Sequence, residues 1–241
     1  MQVKIETPKI LTSAVEIMSE LVTEVKLKFN DSGLSVTAMD PANVAMIRIR
    51  IPKSAFSQFE VGEESLGVNL DDLKKILKRA SNASSLVLKK VENTLDLEIN
   101  DKVNRKFSLA LIELDSEDKN IPNLEYAAEI ELNSTDFVDS IEDCAVVDDA
   151  CSFIVEEGKF ILESKNLNSS RAEFSGDEAT IKAENCKSRY SLEYLKKFIK
   201  ATKLCKKTKI KFATNHPLRL DFQGDNFEIN FILAPRVETE D

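Results

Sequence analysis

Apolar and polar residues alternate in short runs along most of the chain, which is the pattern of strands with one buried face. In the first half the runs cover residues 3–5, 25–29, 34–38 and 44–51, then an extended segment at 66–70, then 86–88, 95–99 and 107–111. Residues 8–21 and 71–80 instead repeat apolar residues at the helical period. The first half is therefore predicted to run strand, helix, three strands, helix, three strands.

The same order returns in the second half of the chain. The sequence LDDLKKILK at 70–78 recurs as LEYLKKFIK at 192–200, 122 residues later, and the turn glycines Gly33 and Gly158 are 125 residues apart. An internal period of half the length indicates a duplicated unit. Residues 115–123 are polar and typical of an interdomain linker. We expect an α+β protein of two similar domains, residues 1–114 and 127–241, joined by a connector at 115–126, each an antiparallel sheet with two helices on one face.

Both copies of the repeated helix place apolar residues on one side and lysines on the other. A solvated surface explains any single helix of this kind, but two copies at matched positions weaken that interpretation. Lysines at helical spacing are point charges that suit phosphate contact without base reading. The repeated helices and the residues directly after them include Lys74, Lys75, Lys78, Arg79, Lys196, Lys197, Lys200 and Lys203.

Composition limits how such contact is made. The 33 Lys and Arg against 42 Asp and Glu give a net charge of −9. Any contact with DNA therefore depends on a local basic surface rather than on the net charge of the protein. The absence of Trp argues against recognition by base stacking. No apolar run reaches the ~18 residues of a membrane span, and the N-terminus lacks a secretory signal. We expect an intracellular protein with no membrane partner.

Enzyme and metal chemistry find little support in the residues. Cys144, Cys151, Cys186 and Cys205 form no CxxC pair, and the single His216 has no companion at ligand spacing, so neither metal nor cofactor is expected. The cysteines are interpreted as reduced packing residues. A metal-dependent hydrolase is the remaining enzymatic alternative, and its carboxylates would be Asp40, Asp148 and Asp149.

Five stretches in combination resemble the DNA sliding clamp of archaea and eukaryotes, the proliferating cell nuclear antigen family. They are residues 33–46, 70–78, 121–126, 190–202, and 217–220 together with 233–236. The resemblance covers essentially the whole chain. It implies a non-enzymatic processivity factor, a ring of three subunits whose twelve helices surround duplex DNA without reading its sequence. It also implies a chromosome-associated protein, in the cytoplasm of an archaeon or the nucleus of a eukaryote, that needs a separate loader.

The resemblance also implies specific surfaces. The DNA-contacting residues would be Lys75, Lys78, Lys197 and Lys200, which lie innermost, with Lys74, Arg79, Lys196 and Lys203 nearby. Subunits would join through sheet edges, with Arg105, Phe107, Leu109 and Leu111 on one side and Arg171, Ala172 and Phe174 on the other; ordinary internal strands are the alternative. DNA polymerase, clamp loader, flap nuclease and DNA ligase would dock through short peptide motifs in a pocket formed by Met39, Asn43, Val44, Met46, Ile121, Pro122, Tyr126, Pro217, Ala234 and Pro235. For the two methionines, core filling is the alternative.

Three features depart from the family pattern. The first helix carries no lysine after Lys9, and the first helix of the second half is acidic, with Asp136, Asp139, Glu142 and Asp143. Lys119 stands in the connector where an apolar residue is often found. Either the two lysine helices supply the positive lining, or this chain belongs to a mixed ring with related chains; homotrimer and heterotrimer stay open. The alternative function is a clamp-fold DNA-binding scaffold that acts in repair.

Overall fold

The computed structural model describes residues 1–115 and 119–236. The chain forms two compact units. The N-terminal unit comprises Met1–Pro41, Ile47–Asn120 and Asp225–Glu228, and the C-terminal unit comprises Ala42–Met46, Ile121–Gly224 and the chain from Ile229 onward. Residues 116–118 of the expected connector and 237–241 of the acidic tail lie outside the described residues.

The N-terminal unit contains nine strands and two α-helices within the described residues. They are β1 (Gln2–Ile5), α1 (Lys9–Met18), β2 (Glu24–Asn30), β3 (Gly33–Met39), β4 (Ala45–Pro52), β5 (Gln58–Glu60), β6 (Glu64–Asn69), α2 (Leu70–Leu77), β7 (Ser85–Val91), β8 (Thr94–Asn100) and β9 (Arg105–Ala110). The strands form one sheet in the order β5-β1-β7-β8-β9 and a second in the order β4-β3-β2-β6. Strand β9 is therefore an edge.

The C-terminal unit repeats this order, again within the described residues. Its elements are β10 (Ala128–Asn133), α3 (Ser134–Val147), β11 (Ala150–Glu156), β12 (Lys159–Lys165), β13 (Ser169–Phe174), β14 (Ala179–Ala183), β15 (Cys186–Ser191), α4 (Leu192–Phe198), β16 (Lys207–Phe212), β17 (Leu218–Gly224) and β18 (Phe227–Leu233). Its sheets run β14-β10-β16-β17-β18 and β13-β12-β11-β15. The matching topology is that of a duplicated α+β unit, which confirms the predicted fold class.

Local chemistry explains where the helices and hairpins begin. The side chain of Asn69 accepts hydrogen bonds from the backbone N–H groups of Asp71 and Asp72 and so caps α2. Asn133 caps α3 in the same way through the N–H of Thr135. Gly33 turns the β2–β3 hairpin at φ 129°, where a Cβ atom would lie 2.2 Å from the carbonyl oxygen of Ile51. Only glycine fits that position without displacing the backbone.

The structure corrects the predicted element count. Within the described residues each unit has nine strands, whereas the pattern predicted seven. Strand β5 pairs with β1 alone among the described strands, and its three residues are too few to show alternation. In β15 the inward positions include the buried Ser188 between Cys186 and Tyr190, and a polar residue at a core position hides the strand pattern.

Three helices end earlier than their apolar periodicity indicates, and of these α2 stops at Leu77 rather than at residue 80. Helix α1 stops at Met18 rather than at residue 21, although Leu21 is buried. Helix α4 stops at Phe198, and Ile199–Leu204 continues as a 3-10 helix. The second lysine stretch therefore has two geometries, with Lys196 and Lys197 on α4 and Lys200 and Lys203 on the 3-10 helix.

Candidate nucleic-acid and subunit interfaces

The lysines of α2 already have partners within the N-terminal unit. Helix α1 packs beside α2. Lys74 Nζ donates to Ser19 Oγ at 2.8 Å and lies 3.9 Å from the Asp71 carboxylate. Lys75 Nζ lies 2.8 Å from Asp72, which raises the pKa of that lysine.

Lys78 and Arg79 complete this face of α2. Lys78 Nζ lies 3.7 Å from the carboxylate of Glu16 on α1, and Arg79 is exposed. Sequence periodicity did not reveal Glu16 and Ser19 as partners of these lysines, because Glu16 lies on α1 and Ser19 directly follows α1. The sequence does indicate the pairing of Lys75 with Asp72, since opposite charges three residues apart on a helix are neighbours.

The positive charge of the C-terminal unit is less compensated. Lys196 and Lys203 are exposed and form no ion pair with any described side chain. Lys197 Nζ lies 3.0 Å from Glu193 and 5.0 Å from the centre of the Tyr194 ring. Lys200 is exposed on the 3-10 helix. The segment from α4 through the 3-10 helix therefore presents more available cationic charge than α2.

Helix α3 packs beside α4 and displays the opposite charge. Its exposed acidic residues are Asp136, Asp139, Glu142 and Asp143. The helix carries no basic residue along its 14 positions. The helical face of the C-terminal unit is thus divided into one acidic and one basic helix, as the sequence indicates.

Strand β9 presents one edge of the N-terminal unit. Among the described residues it pairs with β8 alone. Phe107 is half-buried, whereas Leu109 is buried in the core of its own unit. The Arg105 guanidinium donates to the backbone oxygen of Arg79 at 2.9 Å and pairs with Asp101. Leu111 lies beyond the strand, where its N–H donates to the Asn93 oxygen at 3.0 Å.

Strand β13 presents an edge of the C-terminal unit in the same manner. It pairs with β12 alone among the described strands. Ala172 is half-buried, and Phe174 is buried with its ring stacked on Phe160 at a centroid distance of 6.0 Å. The exposed Arg171 pairs with Glu173 at 2.8 Å. Both strands are six residues long and keep one backbone edge available for pairing.

The carboxylate of Asp96 on β8 ties β9 into its sheet. The side chain accepts a hydrogen bond from Ser108 Oγ at 2.6 Å and one from Lys106 Nζ at 2.9 Å. These contacts hold the pKa of Asp96 below its usual range. Sequence alternation did not identify this link, because it depends on the β8–β9 register.

Replacing Asp96 with asparagine is expected to lower the thermal midpoint at neutral pH. Because the folded-state pKa is depressed, the contribution of Asp96 is complete above the ordinary aspartate pKa of about 4 and is lost as pH falls through the folded value. The difference between wild type and Asp96→Asn should therefore shrink toward pH 2 in circular-dichroism melts. Glu98→Gln is the control, since Glu98 is more exposed and lies 3.8 Å from Lys106. A pH-independent difference would contradict this assignment.

Most residues of the predicted partner pocket belong to the C-terminal unit. The N–H of Ala234 donates to the Val44 oxygen at 2.9 Å. The Tyr126 ring meets His216 edge-on at 5.7 Å, and burial raises the pKa of Tyr126 to about 12. Tyr190 Oη donates to the backbone oxygen of His216 at 2.7 Å. His216 therefore supports Tyr126, a role that the sequence did not indicate.

The other pocket residues differ in exposure. Ile121, Pro217 and Pro235 are half-buried and Pro122 is exposed. Asn43 is exposed with a positive φ of 57°. Met46 is buried at 5% exposure and packs in the core, whereas Met39 is half-buried and belongs to the N-terminal unit. Met39 Sδ lies 3.5 Å from Lys119 Nζ.

The three carboxylates named for the hydrolase alternative do not form a cluster within one unit. Asp148 lies 2.6 Å from Arg189 and Asp149 lies 2.8 Å from Arg236. Asp40 is buried and belongs to the other unit. Across residues 1–115 and 119–236, no group of three or more His, Cys, Asp or Glu side chains is arranged to hold a metal ion.

All four cysteines are free thiols. Cys144 and Cys151 are buried in contact, with their sulfur atoms 3.5 Å apart. The hydrogen bond from Cys151 lowers the pKa of Cys144 to about 7, whereas burial raises the pKa of Cys151. In the described part of the chain no helix has the length and apolarity needed to cross a membrane.

Comparison with known proteins identifies the family. Residues 1–119 match the proliferating cell nuclear antigen N-terminal domain, and residues 120–237 match its C-terminal domain. The DNA polymerase sliding clamp of Pyrococcus furiosus is 32% identical, with 98% of each chain covered. That of Thermococcus fumicolans is 34% identical over 91% of this chain and 92% of the relative.

Solved structures agree with the sequence relatives. A chain of the PCNA2-PCNA3 complex from Sulfolobus tokodaii superposes with a TM-score of 0.89 at 27% identity, covering 99% of this chain and 100% of that one. Proliferating cellular nuclear antigen from Entamoeba histolytica superposes with a TM-score of 0.91 at 25% identity, covering 98% of each chain. With both halves matched in order, the chain belongs to the proliferating cell nuclear antigen family of DNA polymerase sliding clamps.

Proposed function

We propose that this chain is a non-enzymatic processivity clamp whose copies close into a three-membered ring around duplex DNA. The observation that carries the proposal is the pair of available strand edges, β9 in one unit and β13 in the other. Two different edges on one chain make a heterologous contact, and such contacts form rings when the rotation closes. Main-chain pairing between edges is a common mode of association.

The two edges suit each other in an antiparallel register that sets Phe107 opposite Ala172. In that register Lys106 faces Glu173 and Ser108 faces Arg171. Residues opposite each other in an antiparallel pair share a face of the sheet, so the core-side Phe107 meets the core-side Ala172. Both strands span six residues, and the pairing leaves neither edge with an overhang. This complementarity favours a ring made of copies of one chain.

A mixed ring is the second arrangement, and the acidic α3 is the observation that favours it. Asp136, Asp139, Glu142 and Asp143 repel phosphates, so related chains with basic helices would share the lining. The Sulfolobus tokodaii complex contains two clamp chains. Native mass spectrometry of the purified chain separates these alternatives, since a homomeric ring has three times the chain mass. A chain that stays monomeric both alone and with its relatives would contradict any ring.

A clamp holds its partners on DNA, and a processivity assay tests that role. We propose that polymerase, clamp loader, flap nuclease and DNA ligase dock through short motifs near Tyr126, Pro217 and Ala234. Residues 1–114 and 127–241 are proposed to act as the two clamp domains, and residues 115–126 as the connector between them. The ring should lengthen the products of a replicative polymerase on primed circular DNA. The repair-scaffold alternative predicts DNA binding without longer products.

DNA contact is proposed to depend more on α4 and the 3-10 helix than on α2. Exposed ion pairs are worth little, about 0–1 kcal/mol, yet each lysine of α2 must exchange a chain partner for a phosphate. Lys196 and Lys203 give up no ion pair with a described side chain. Repulsion from α3 keeps the contact loose, which suits sliding.

The double variant Lys196→Glu with Lys203→Glu is expected to weaken DNA association more than Lys75→Glu with Lys78→Glu. Its slope of log affinity against log salt should become shallower by about 0.9 for each phosphate that the variant no longer neutralises. Fluorescence anisotropy of a duplex with the ring gives both quantities. Lys89→Glu with Lys182→Glu makes the same charge change on exposed strand residues and is the control. Equal effects from both helix pairs would contradict the assignment.

A further inference from the structure

Two buried thiols meet between helix α3 and strand β11 of the C-terminal unit. Cys144 lies in the last turn of α3, and Cys151 is the second residue of β11. Both side chains are fully buried, and their sulfur atoms are 3.5 Å apart. Sulfurs in a disulfide are about 2.0 Å apart, so these two must approach by about 1.5 Å to form one. Small rotations of the two side chains provide such a movement without a change of fold.

The two thiols differ in their readiness to react. The Cys151 thiol donates a hydrogen bond to the Cys144 sulfur and lowers the pKa of Cys144 to about 7. Burial raises the pKa of Cys151 well above its usual value. At neutral pH Cys144 therefore carries thiolate while Cys151 keeps its proton. Because the thiolate is the form that oxidants attack, the pair combines one reactive sulfur with a protonated neighbour.

The last turn of α3 provides a route to the buried sulfurs. It ends with the N–H of Asp148 donating to the Cys144 oxygen at 3.2 Å. Val146, in the same turn, is 87% exposed and so adds little burial to hold the turn in place. Terminal turns with few buried contacts open locally at a lower free energy than the core. Such an opening admits a small neutral oxidant such as hydrogen peroxide.

The connection that follows α3 is linked to other elements of the same unit. The Asp148 carboxylate lies 2.6 Å from Arg189 on β15, and the Asp149 carboxylate lies 2.8 Å from Arg236. The backbone oxygen of Asp149 accepts a hydrogen bond from the N–H of Leu192, the first residue of α4, at 2.9 Å. Fixing the last turn of α3 therefore also restrains the start of α4.

We propose that Cys144 and Cys151 are a peroxide-oxidation site that closes to a reversible disulfide and fastens the last turn of α3 to β11. The Cys144 thiolate attacks one peroxide oxygen, the O–O bond breaks, and hydroxide leaves, which gives a sulfenic acid. The Cys151 sulfur then attacks that sulfur, the S–O bond breaks, and the departing hydroxide takes the Cys151 proton as water. Together the two thiols lose two electrons and two protons, which reduce one peroxide to two waters. A small dithiol reverses the reaction by thiol–disulfide exchange.

Peptide mapping of the full-length wild-type chain tests the bond directly. Residues 120–159 contain both Cys144 and Cys151 and no Lys or Arg before the last position, so trypsin releases them in one peptide. After treatment with hydrogen peroxide and unfolding in iodoacetamide, this peptide should be unalkylated and lighter by two hydrogen atoms than its reduced form. The peptides of Cys186 and Cys205 should be alkylated. Alkylation of both Cys144 and Cys151, or cross-links to Cys186 or Cys205, overturns the proposal.

Thermal melts test the fastening of α3. The oxidised chain should melt about 5 °C above the reduced chain, because a disulfide that closes a short loop restricts the unfolded state. Dithiothreitol should return the midpoint to the reduced value. Cys186→Ser with Cys205→Ser should keep the shift and Cys151→Ala should lose it, each measured against its own reduced form. An oxidised chain that melts no higher, or a shift that persists in Cys151→Ala, overturns the proposal.

Discussion

Phe107→Asp is expected to reduce the native mass from three chains to one at micromolar concentration. Phe107 is half-buried in the isolated chain and would become buried against Ala172 of the next copy. Fully burying a phenylalanine contributes about 1.5–3 kcal/mol, and an aspartate in its place adds a desolvation cost of several kcal/mol. A loss of about 3 kcal/mol at one interface raises the dissociation constant roughly a hundredfold. The variant should also lose its effect on polymerase processivity.

Two controls separate loss of the interface from loss of folding. Val91→Asp changes an aliphatic residue that is 40% exposed and lies on β7, inside its sheet, and should stay trimeric. Ala172→Asp on the opposite edge should dissociate the ring in the same way, because Ala172 faces Phe107 in the proposed register. A trimeric Phe107→Asp protein, or a trimeric Ala172→Asp protein, would contradict the proposed register.

Phe153→Ala is expected to cost about 4 kcal/mol of unfolding free energy, within the range for truncating a buried phenylalanine. Its side chain is fully buried in the C-terminal unit, and its ring meets four others edge-on. Those rings are Phe137, Phe160, Tyr190 and Phe212, at centroid distances of 5.2 to 6.3 Å. Truncation leaves a cavity at the point where they converge, and the four rings then lack dispersion attraction on that side.

Tyrosine fluorescence measures this loss of stability in the relevant unit. The chain has no tryptophan and three tyrosines, Tyr126, Tyr190 and Tyr194, all of them in the C-terminal unit. Urea unfolding followed by tyrosine emission should shift to a much lower midpoint in Phe153→Ala. Phe59→Ala truncates a half-buried ring on β5 of the other unit and should leave the tyrosine-detected transition nearly unchanged. A shift smaller than that of an average surface substitution would contradict the central packing role of Phe153.

Hydrophobic periodicity predicts the duplicated fold because strands and helices bury one face at different periods. It fails where tertiary contacts replace the usual pattern. Strand β5 depends on its pairing with β1, and β15 buries Ser188 in place of an apolar residue. The change from α4 to a 3-10 helix after Phe198 leaves no mark in the spacing of the lysines. Local sequence therefore predicts which residues turn inward better than it predicts how many strands form.

The candidate surfaces show the same division between local and distant information. A helical period places Lys78 on a displayed face, but the approach of Glu16 from α1 requires the packed structure. Asp96 and Lys106 lie on separate strands, and only the β8–β9 register brings their side chains within 2.9 Å of each other. The strand edges at β9 and β13 likewise follow from sheet order, which a strand's own sequence does not contain.

In the proposed ring, the β9 and β13 edges of a newly synthesised copy stay exposed until the copy meets its neighbours. Such edges are templates for pairing with any extended segment, including an unfolded chain. The exposed charges of Lys106 on β9 and Arg171 on β13 oppose aggregation, because a charge on an edge strand disfavours stacking into fibres. Closure of the proposed ring would pair both edges, so quaternary assembly and resistance to aggregation would be linked. Variants that open the ring should accordingly have shorter cellular lifetimes as well as lower activity.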